Sequence, residues 1–187
     1  MRIIAGIARG RSILAPKGRN TRPTLDRVKE SLFSILQFSI SGARALDLYA
    51  GSGNLGLEAL SRGAAYAVFN DFDRGCCDII RRNLDTLGFS DRAAVMQADA
   101  LAAVTRLSGG QAFDLVFLDP PYHLGAQQAL EALFRMGLIS VDGQVIVEHA
   151  WEKPPHAVEL LMEHIDTRKY GDTGLSFFVP PRNGKDA

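Results

Sequence analysis

The chain has 187 residues, 47% hydrophobic and 22% charged, which is the make-up of one globular domain and excludes a disordered or fibrous chain. Its longest stretch without a charged residue, Ser31 to Ala43, is short of the roughly 20 residues of a membrane span, and the apolar start is too short for a signal-peptide core, so a cytoplasmic protein without membrane contact is expected. A net charge of zero hides a division: residues 1–44 carry nine Lys/Arg against two Asp/Glu, and residues 45–187 carry twelve against nineteen, so the basic end suits a polyanion partner.

Residues 2–15 look like two short strands with Gly6 and Gly10 near the turn, and residues 16–23 form a loop rich in Pro, Gly and Arg. Thr24 can cap a helix that carries Asp26 in its first turn. Leu25, Val28, Leu32, Ile35 and Leu36 then share one face, opposite Arg27, Glu30 and Ser34. This divides the chain into a basic hairpin or arm over 1–23 and a main domain over 24–187. From Ala43 strands and helices alternate. Strands are expected at Ala45–Tyr49, Ala67–Asn70, Ala93–Gln97, Phe113–Leu118 and Gln144–Glu148. Helices are expected at Leu55–Ser61, Cys76–Leu87, up to Leu107, and Ala126–Met136. The strands are short and almost wholly apolar, as when helices cover both faces of a parallel sheet. Two last strands, Ile165–Tyr170 and Leu175–Val179, flank Gly171-Asp172-Thr173-Gly174 and should pair antiparallel. The expected fold is α/β: a doubly wound, mostly parallel seven-stranded sheet with a basic N-terminal hairpin appendage. Cys76 and Cys77, adjacent on a helix, suit buried thiols better than a disulfide or zinc site. The four histidines lack metal-ligand spacing, and no metal is expected.

Ligands of such a sheet bind beyond the carboxyl ends of the strands. The first strand runs into Asp47-Leu-Tyr-Ala-Gly51-Ser-Gly53-Asn-Leu-Gly56, a G-x-G-x-x-G loop between strand and helix, and Asp71 follows at the end of the second strand. Glycines let a ligand approach the backbone, and a carboxylate can accept from both ribose hydroxyls. NAD and S-adenosylmethionine both satisfy that pattern. Asp47 separates them, because an anion at the strand end repels a pyrophosphate and suits a sulfonium and an ammonium. Asp99, after the third strand, can accept from an adenine amine, cap the next helix, or both. The fourth strand ends in Asp119-Pro120-Pro121-Tyr122. The prolines stiffen the turn and leave carbonyls free, the carboxylate accepts only, and the tyrosine offers a flat face for a base. Glu148 and His149 end the fifth strand, and nothing in the pattern gives either a role.

These motifs resemble the class I S-adenosylmethionine-dependent amino-methyltransferases. Arg22-Pro-Thr-Leu-Asp-Arg-Val-Lys-Glu-Ser-Leu-Phe33, Leu55-Gly-Leu-Glu-Ala-Leu-Ser-Arg-Gly63 and Lys169-Tyr-Gly-Asp-Thr173 are similar to segments of the bacterial 16S ribosomal RNA guanine-N2 methyltransferases of the D type. The resemblance implies transfer of a methyl group from S-adenosyl-L-methionine to the exocyclic amine of one guanine in 16S rRNA, on the small ribosomal subunit or its assembly intermediate. A methyltransferase acting on adenine N6 in DNA, or on another RNA, is the alternative. Carried onto this sequence, Asp47, Tyr49, Gly51, Ser52, Gly53, Asp71, Phe72, Asp99 and Ala100 line the cofactor, and Asp119, Pro120, Pro121 and Tyr122 hold the base. Arg2, Arg9, Arg11, Lys17, Arg19, Arg22 and Arg27 are the expected RNA contacts. With no long apolar helix face left over, a monomer is expected. Asn70-Asp71 stands where the family has an apolar residue and then glutamate, which shortens the reach toward the ribose by one methylene.

Overall fold

The computed structural model describes residues 1–16, 23–121 and 123–181. Lys17, Arg19, Arg22 and Tyr122 of the expected site lie outside them. Seven strands form one sheet: β1 Arg44–Asp47, β2 Tyr66–Asp71, β3 Ala93–Gln97, β4 Phe113–Leu118, β5 Ile139–Ala150, β6 Glu163–Tyr170 and β7 Thr173–Val179. Their spatial order is β3-β2-β1-β4-β5-β7-β6. The first five run parallel, and β7 lies antiparallel between β5 and β6. The order reverses between β1 and β4, which makes their carboxyl ends the place where a doubly wound sheet opens a crevice.

The helices are α1 Pro23–Ile35, α2 Asn54–Ser61, α3 Arg74–Leu87, α4 Ala100–Leu107 and α5 Gln127–Arg135. Side chains alternate across a strand, so each strand feeds two cores. Ala45, Phe69, Leu115, Phe117 and Ile146 pack on one face with Leu32, Phe33, Leu57 and Ile80. Leu46, Val68, Val116, Leu118 and Val147 pack on the other with Ala103, Val104, Leu130 and Leu133. Gly56, inside α2, permits one of these contacts: a Cβ there would lie 2.3 Å from the Phe69 ring.

Three expectations need correction. Thr24 falls within α1 rather than before it, since Pro23 opens the helix, as its fixed φ and missing N–H favour. Ile35 is exposed, and the buried stripe is Val28, Lys29, Leu32, Phe33 and Leu36. That stripe lies one step round the helix because Phe33 meets Phe117 of β4, with ring centroids 5.8 Å apart. The two expected N-terminal strands reduce to a single antiparallel bridge, Arg2 to Ser12. Ile3 donates to the Arg11 carbonyl, Gly10 to the Ile3 carbonyl and Ile13 to the Met1 carbonyl, so the hairpin pairing is kept, and its turn also bonds to the body of the protein.

A buried carboxylate causes this. Glu58, in the middle of α2, accepts from the backbone N–H groups of Ile4 at 2.8 Å and Ala5 at 2.9 Å. It also meets Lys29 Nζ of α1 at 3.1 Å and Arg62 Nε at 2.8 Å. Ile7 donates to the Ser61 carbonyl, Ala8 donates to the Ser61 hydroxyl, and Leu14 donates to Asn83 of α3. Gly6 passes so close that a Cβ would overlap the Ser61 carbonyl oxygen. Ile3, Ala8 and Ile13 are buried in the core. Ile3, Ala8 and Ile13 therefore anchor residues 1–16 in the hydrophobic interior, with the basic side chains Arg2, Arg9 and Arg11 on the outside.

Candidate active site

A cavity of about 320 Å³ opens at the β1/β4 switch point. Asp47, Tyr49, Ala50 and Ser52 reach it from the β1 end, Asp119, Pro120 and Pro121 from the β4 end, Lys29 from α1 and Glu148 from β5. The expected cofactor loop and the expected base-holding turn thus share one space.

Its electrostatics follow from strand alternation. On β2, β1, β4 and β5, residues Phe69, Ala45, Phe117 and Ile146 face the same core. Two residues further on each strand lie Asp71, Asp47, Asp119 and Glu148, on the same face by the two-residue period. Four carboxylates therefore stand in a row along the carboxyl edge of four adjacent parallel strands. Crowding and burial tell on the central members. Asp47 is buried, and desolvation, with Asp119 and Asp71 beside it, pushes its carboxyl up to about 7 against a Gly56 N–H that pulls it down. Glu148 is pushed up to about 8 by burial and by Asp119. Burial also raises the Tyr49 hydroxyl to about 12, so it stays protonated.

The glycine loop is shaped by the carboxylates that flank it. Gly51 and Gly53 take φ of 57° and 80°, the left-handed region that a side chain resists. Asp71 Oδ2 accepts from the Gly51 N–H at 2.7 Å, and its Oδ1 accepts from the Asp73 N–H at 2.9 Å. Asp71 is thus already fixed to backbone, with lone pairs left for a hydroxyl. Asp47 Oδ2 accepts from the Gly56 N–H at 2.9 Å, inside the first turn of α2. No side chain caps that helix from Gly53. Asp47 supplies the missing acceptor from the neighbouring strand, where the helix dipole favours an anion. Asp99 caps α4 by accepting from the Leu101 N–H at 2.9 Å. Phe72 lies exposed after β2, whereas Ala100 is buried at the start of α4.

Among the expected RNA contacts, Arg2, Arg9, Arg11 and Arg27 are exposed. Arg11 also donates to the Thr86 carbonyl, which ties it to α3. Cys76 and Cys77 are buried and form no disulfide, and among the described residues no group of His, Cys, Asp and Glu is placed to hold a metal. No helix among them is long and apolar enough to cross a membrane.

Sequence reasoning missed Lys29 of the site and Glu58, which pairs with it, and left Glu148 with an open but unsupported pocket role. Lys29 sits within an amphipathic stripe and has the pattern of a helix-face lysine. Glu58 stands alone in the apolar run Leu55-Gly-Leu-Glu-Ala-Leu60, and that isolation was its one signal. Glu148 follows the apolar strand Val145-Ile-Val147, and nothing local shows that it stands beside Asp119.

A parallel sheet reversing at β1/β4, a glycine loop fixed by carboxylates and an Asp-Pro-Pro turn beside it are the features of a Rossmann-like methyltransferase. Comparison with known proteins agrees. The family described as conserved hypothetical protein 95 matches residues 1–179. The putative rRNA methyltransferase YlbH of Bacillus subtilis is 40% identical over 188 residues, covering 95% of this chain and 98% of that protein. The ribosomal RNA small subunit methyltransferase D of Haemophilus influenzae is 39% identical over 156 residues, covering 82% of this chain and 81% of that protein. The solved structure of the putative methyltransferase yhhF from Escherichia coli superposes with a TM-score of 0.85 at 34% identity, covering 95% of this chain and 96% of that one. The chain belongs to the conserved hypothetical protein 95 family and is related to the ribosomal RNA small subunit methyltransferases D.

Proposed function

We propose that this protein transfers a methyl group from S-adenosyl-L-methionine to the exocyclic N2 amine of one guanine in the 16S rRNA of the small ribosomal subunit. The observation that carries the reading is the shared cavity, which the Asp119-Pro120-Pro121 turn lines together with Asp47, Tyr49, Ala50 and Ser52 of the β1 end. The residues fit the cofactor. Asp47 is a buried carboxylate held at about 7 with acidic neighbours, so a cationic ligand relieves it. When bound, S-adenosylmethionine supplies an electrophilic methyl group on a positively charged sulfur. Asp47 would face its cationic part, Tyr49 and Ser52 would line the pocket, Asp71 would reach the ribose, and Asp99, Phe72 and Ala100 would border the adenine. Asp71 has to do so while keeping its two backbone bonds.

The target base must leave its stack to enter the cavity. Its amine is a poor nucleophile, because the nitrogen lone pair is delocalised into the ring. Asp119 and the Pro120 carbonyl accept its hydrogens, orient the lone pair toward the methyl group and stabilise the charge that develops on nitrogen. Alignment does much of the rest, since good positioning is worth about 7–11 kcal/mol. Arg2, Arg9, Arg11 and Arg27, with Lys17, Arg19 and Arg22, grip phosphates; these contacts give affinity, not sequence choice. Met1 and Pro16 lie at the cavity rim and the Arg2 carbonyl accepts from Lys29, which lines the cavity, whereas Arg11 is tied to Thr86 at the far end of α3.

The test is methyl transfer from labelled S-adenosylmethionine to small subunits from cells lacking the protein, with naked 16S rRNA and duplex DNA alongside. Label in N2-methylguanosine from the subunits or the rRNA supports the reading. Label in N6-methyladenine keeps the site chemistry and overturns the substrate. No label in any substrate overturns the activity.

A further inference from the structure

The row of carboxylates contains one member that the proposed chemistry does not use. Glu148 lies one strand beyond Asp119, on the side away from Asp47. In the register of β4 and β5, Leu118 pairs with Val147, so Asp119 and Glu148 are the next neighbours at the edge. Both line the same cavity. Glu148 is not on a mobile loop: β5 continues to Ala150, and Glu148 pairs with Leu175 of β7. The next residue, His149, is buried and bonds through its ring to Ser176 of β7 and to the Ala150 carbonyl, which fixes the strand end. No hydrogen bond to the Glu148 side chain occurs among the described residues. A rigid strand thus presents a largely buried acceptor beside the residue that holds the reacting amine.

If the amine lies between Asp47 and Asp119, the rest of the base extends toward β5. In guanine, the ring atom next to the amino-bearing carbon on the pairing edge is N1, which carries a hydrogen. In adenine, the corresponding atom beside the amine is an acceptor without one. We propose that Glu148 is a specificity-determining residue that accepts the N1–H of the target guanine while Asp119 and the Pro120 carbonyl hold its 2-amino group. This inference rests on the proposed guanine-N2 activity. A carboxylate in that place attracts guanine and repels adenine, so it supplies a physical reason for base choice that the Asp-Pro-Pro turn lacks. Burial, with Asp119 beside it, pushes the Glu148 carboxyl up to about 8, and a donor from the base relieves that cost. Flipped bases are read along this edge, and a site built around a substrate N–H rejects analogues that lack it, because its own buried acceptor is then left unpaired.

The experiment uses ligated small-subunit rRNA carrying either guanine or 2-aminopurine at the methylated nucleotide. 2-Aminopurine keeps the amine but has no hydrogen on N1. Assays run above the raised Glu148 value of about 8, where the carboxylate is ionised. Wild-type protein is expected to prefer guanine by at least about 100-fold in kcat/KM. In Glu148→Gln the amide can turn its NH2 toward N1, so the preference should fall to within about tenfold, with 2-aminopurine methylated faster than by wild type. Glu148→Ala should slow guanine without that gain. Cofactor affinity and thermal unfolding of each variant confirm an intact fold. Wild-type protein that methylates both bases equally overturns the inference without any variant, and so does a Glu148→Gln preference unchanged from wild type. Failure of wild-type protein to form N2-methylguanosine on the guanine RNA, both free and reconstituted into small subunits, overturns the proposed activity instead.

Discussion

Glu58→Gln tests whether one buried charge holds the N-terminal segment to the domain. In the folded protein Glu58 and Lys29 are almost fully buried, with side-chain exposures of 0% and 2%, and Arg62 completes the group at 17%. The substitution keeps the shape but leaves two cations without an anion and one of the Ile4 and Ala5 N–H groups without its acceptor. Removing one partner of a buried pair costs about 3–5 kcal/mol. For a chain of this size each kcal/mol moves the midpoint by roughly 2–4 °C, so a fall of about 6–20 °C is expected. Burial already holds Lys29 below its ordinary value of 10.5, with Glu58 as the chief opposing influence. Without Glu58 that lysine sheds its proton more readily, so the loss should shrink as pH rises. Adding Lys29→Met should restore part of the stability, with a coupling of about 1 kcal/mol or more. Urea and thermal unfolding of the four proteins measure this. A Glu58→Gln loss below about 1 kcal/mol, or strictly additive double-variant energies, would refute the reasoning.

Asp47→Asn should stabilise the cofactor-free protein above pH 7. The raised Asp47 value means that its contribution to stability is fully present below the ordinary value of 3.8 and is lost as pH rises through about 7. The same variant should lose cofactor affinity by at least about tenfold, checked by calorimetry; unchanged affinity would remove Asp47 from the site. In the wild type, affinity should rise as pH passes through about 7 and Asp47 ionises, with proton release that appears as a buffer-dependent heat. Asp119→Ala should lower the rate by about 10²–10³ while cofactor affinity stays near wild type, and a rate within tenfold of wild type would end its assignment. Arg2→Ala with Arg9→Ala should weaken RNA binding and reduce the salt slope by roughly one per lost phosphate contact, at unchanged thermal midpoint. Point substitutions are the right tool here, because deleting residues 1–16 would also remove Ile3, Ala8 and Ile13 from the core.

The order of elements was legible in the chain because hydrophobic periodicity is local. β3 and β4 begin and end at the expected residues, and the other elements of the sheet differ mainly at their ends. The Gly51–Gly56 loop and the Asp119-Pro120-Pro121 turn could be found because both need special backbone residues next to a strand end, and such residues are visible in a sequence. What the chain did not disclose depends on contacts between distant residues. Ile35 and Phe33 exchange places because of a ring on β4. The N-terminal hairpin is tied down by a carboxylate more than 50 residues away. Asp47 serves two purposes, ending its strand and capping the first turn of α2, and only the turn between them brings its carboxylate to the Gly56 N–H. Glu148 gains its place only when β5 settles against β4, since nothing within β5 specifies its neighbour. Sequence by itself determined which residues could do chemistry; the parallel packing of β2, β1, β4 and β5 decided that four carboxylates would stand in one row, with Asp47, Asp119 and Glu148 lining one cavity, because strand register and alternation are set between strands and not along one.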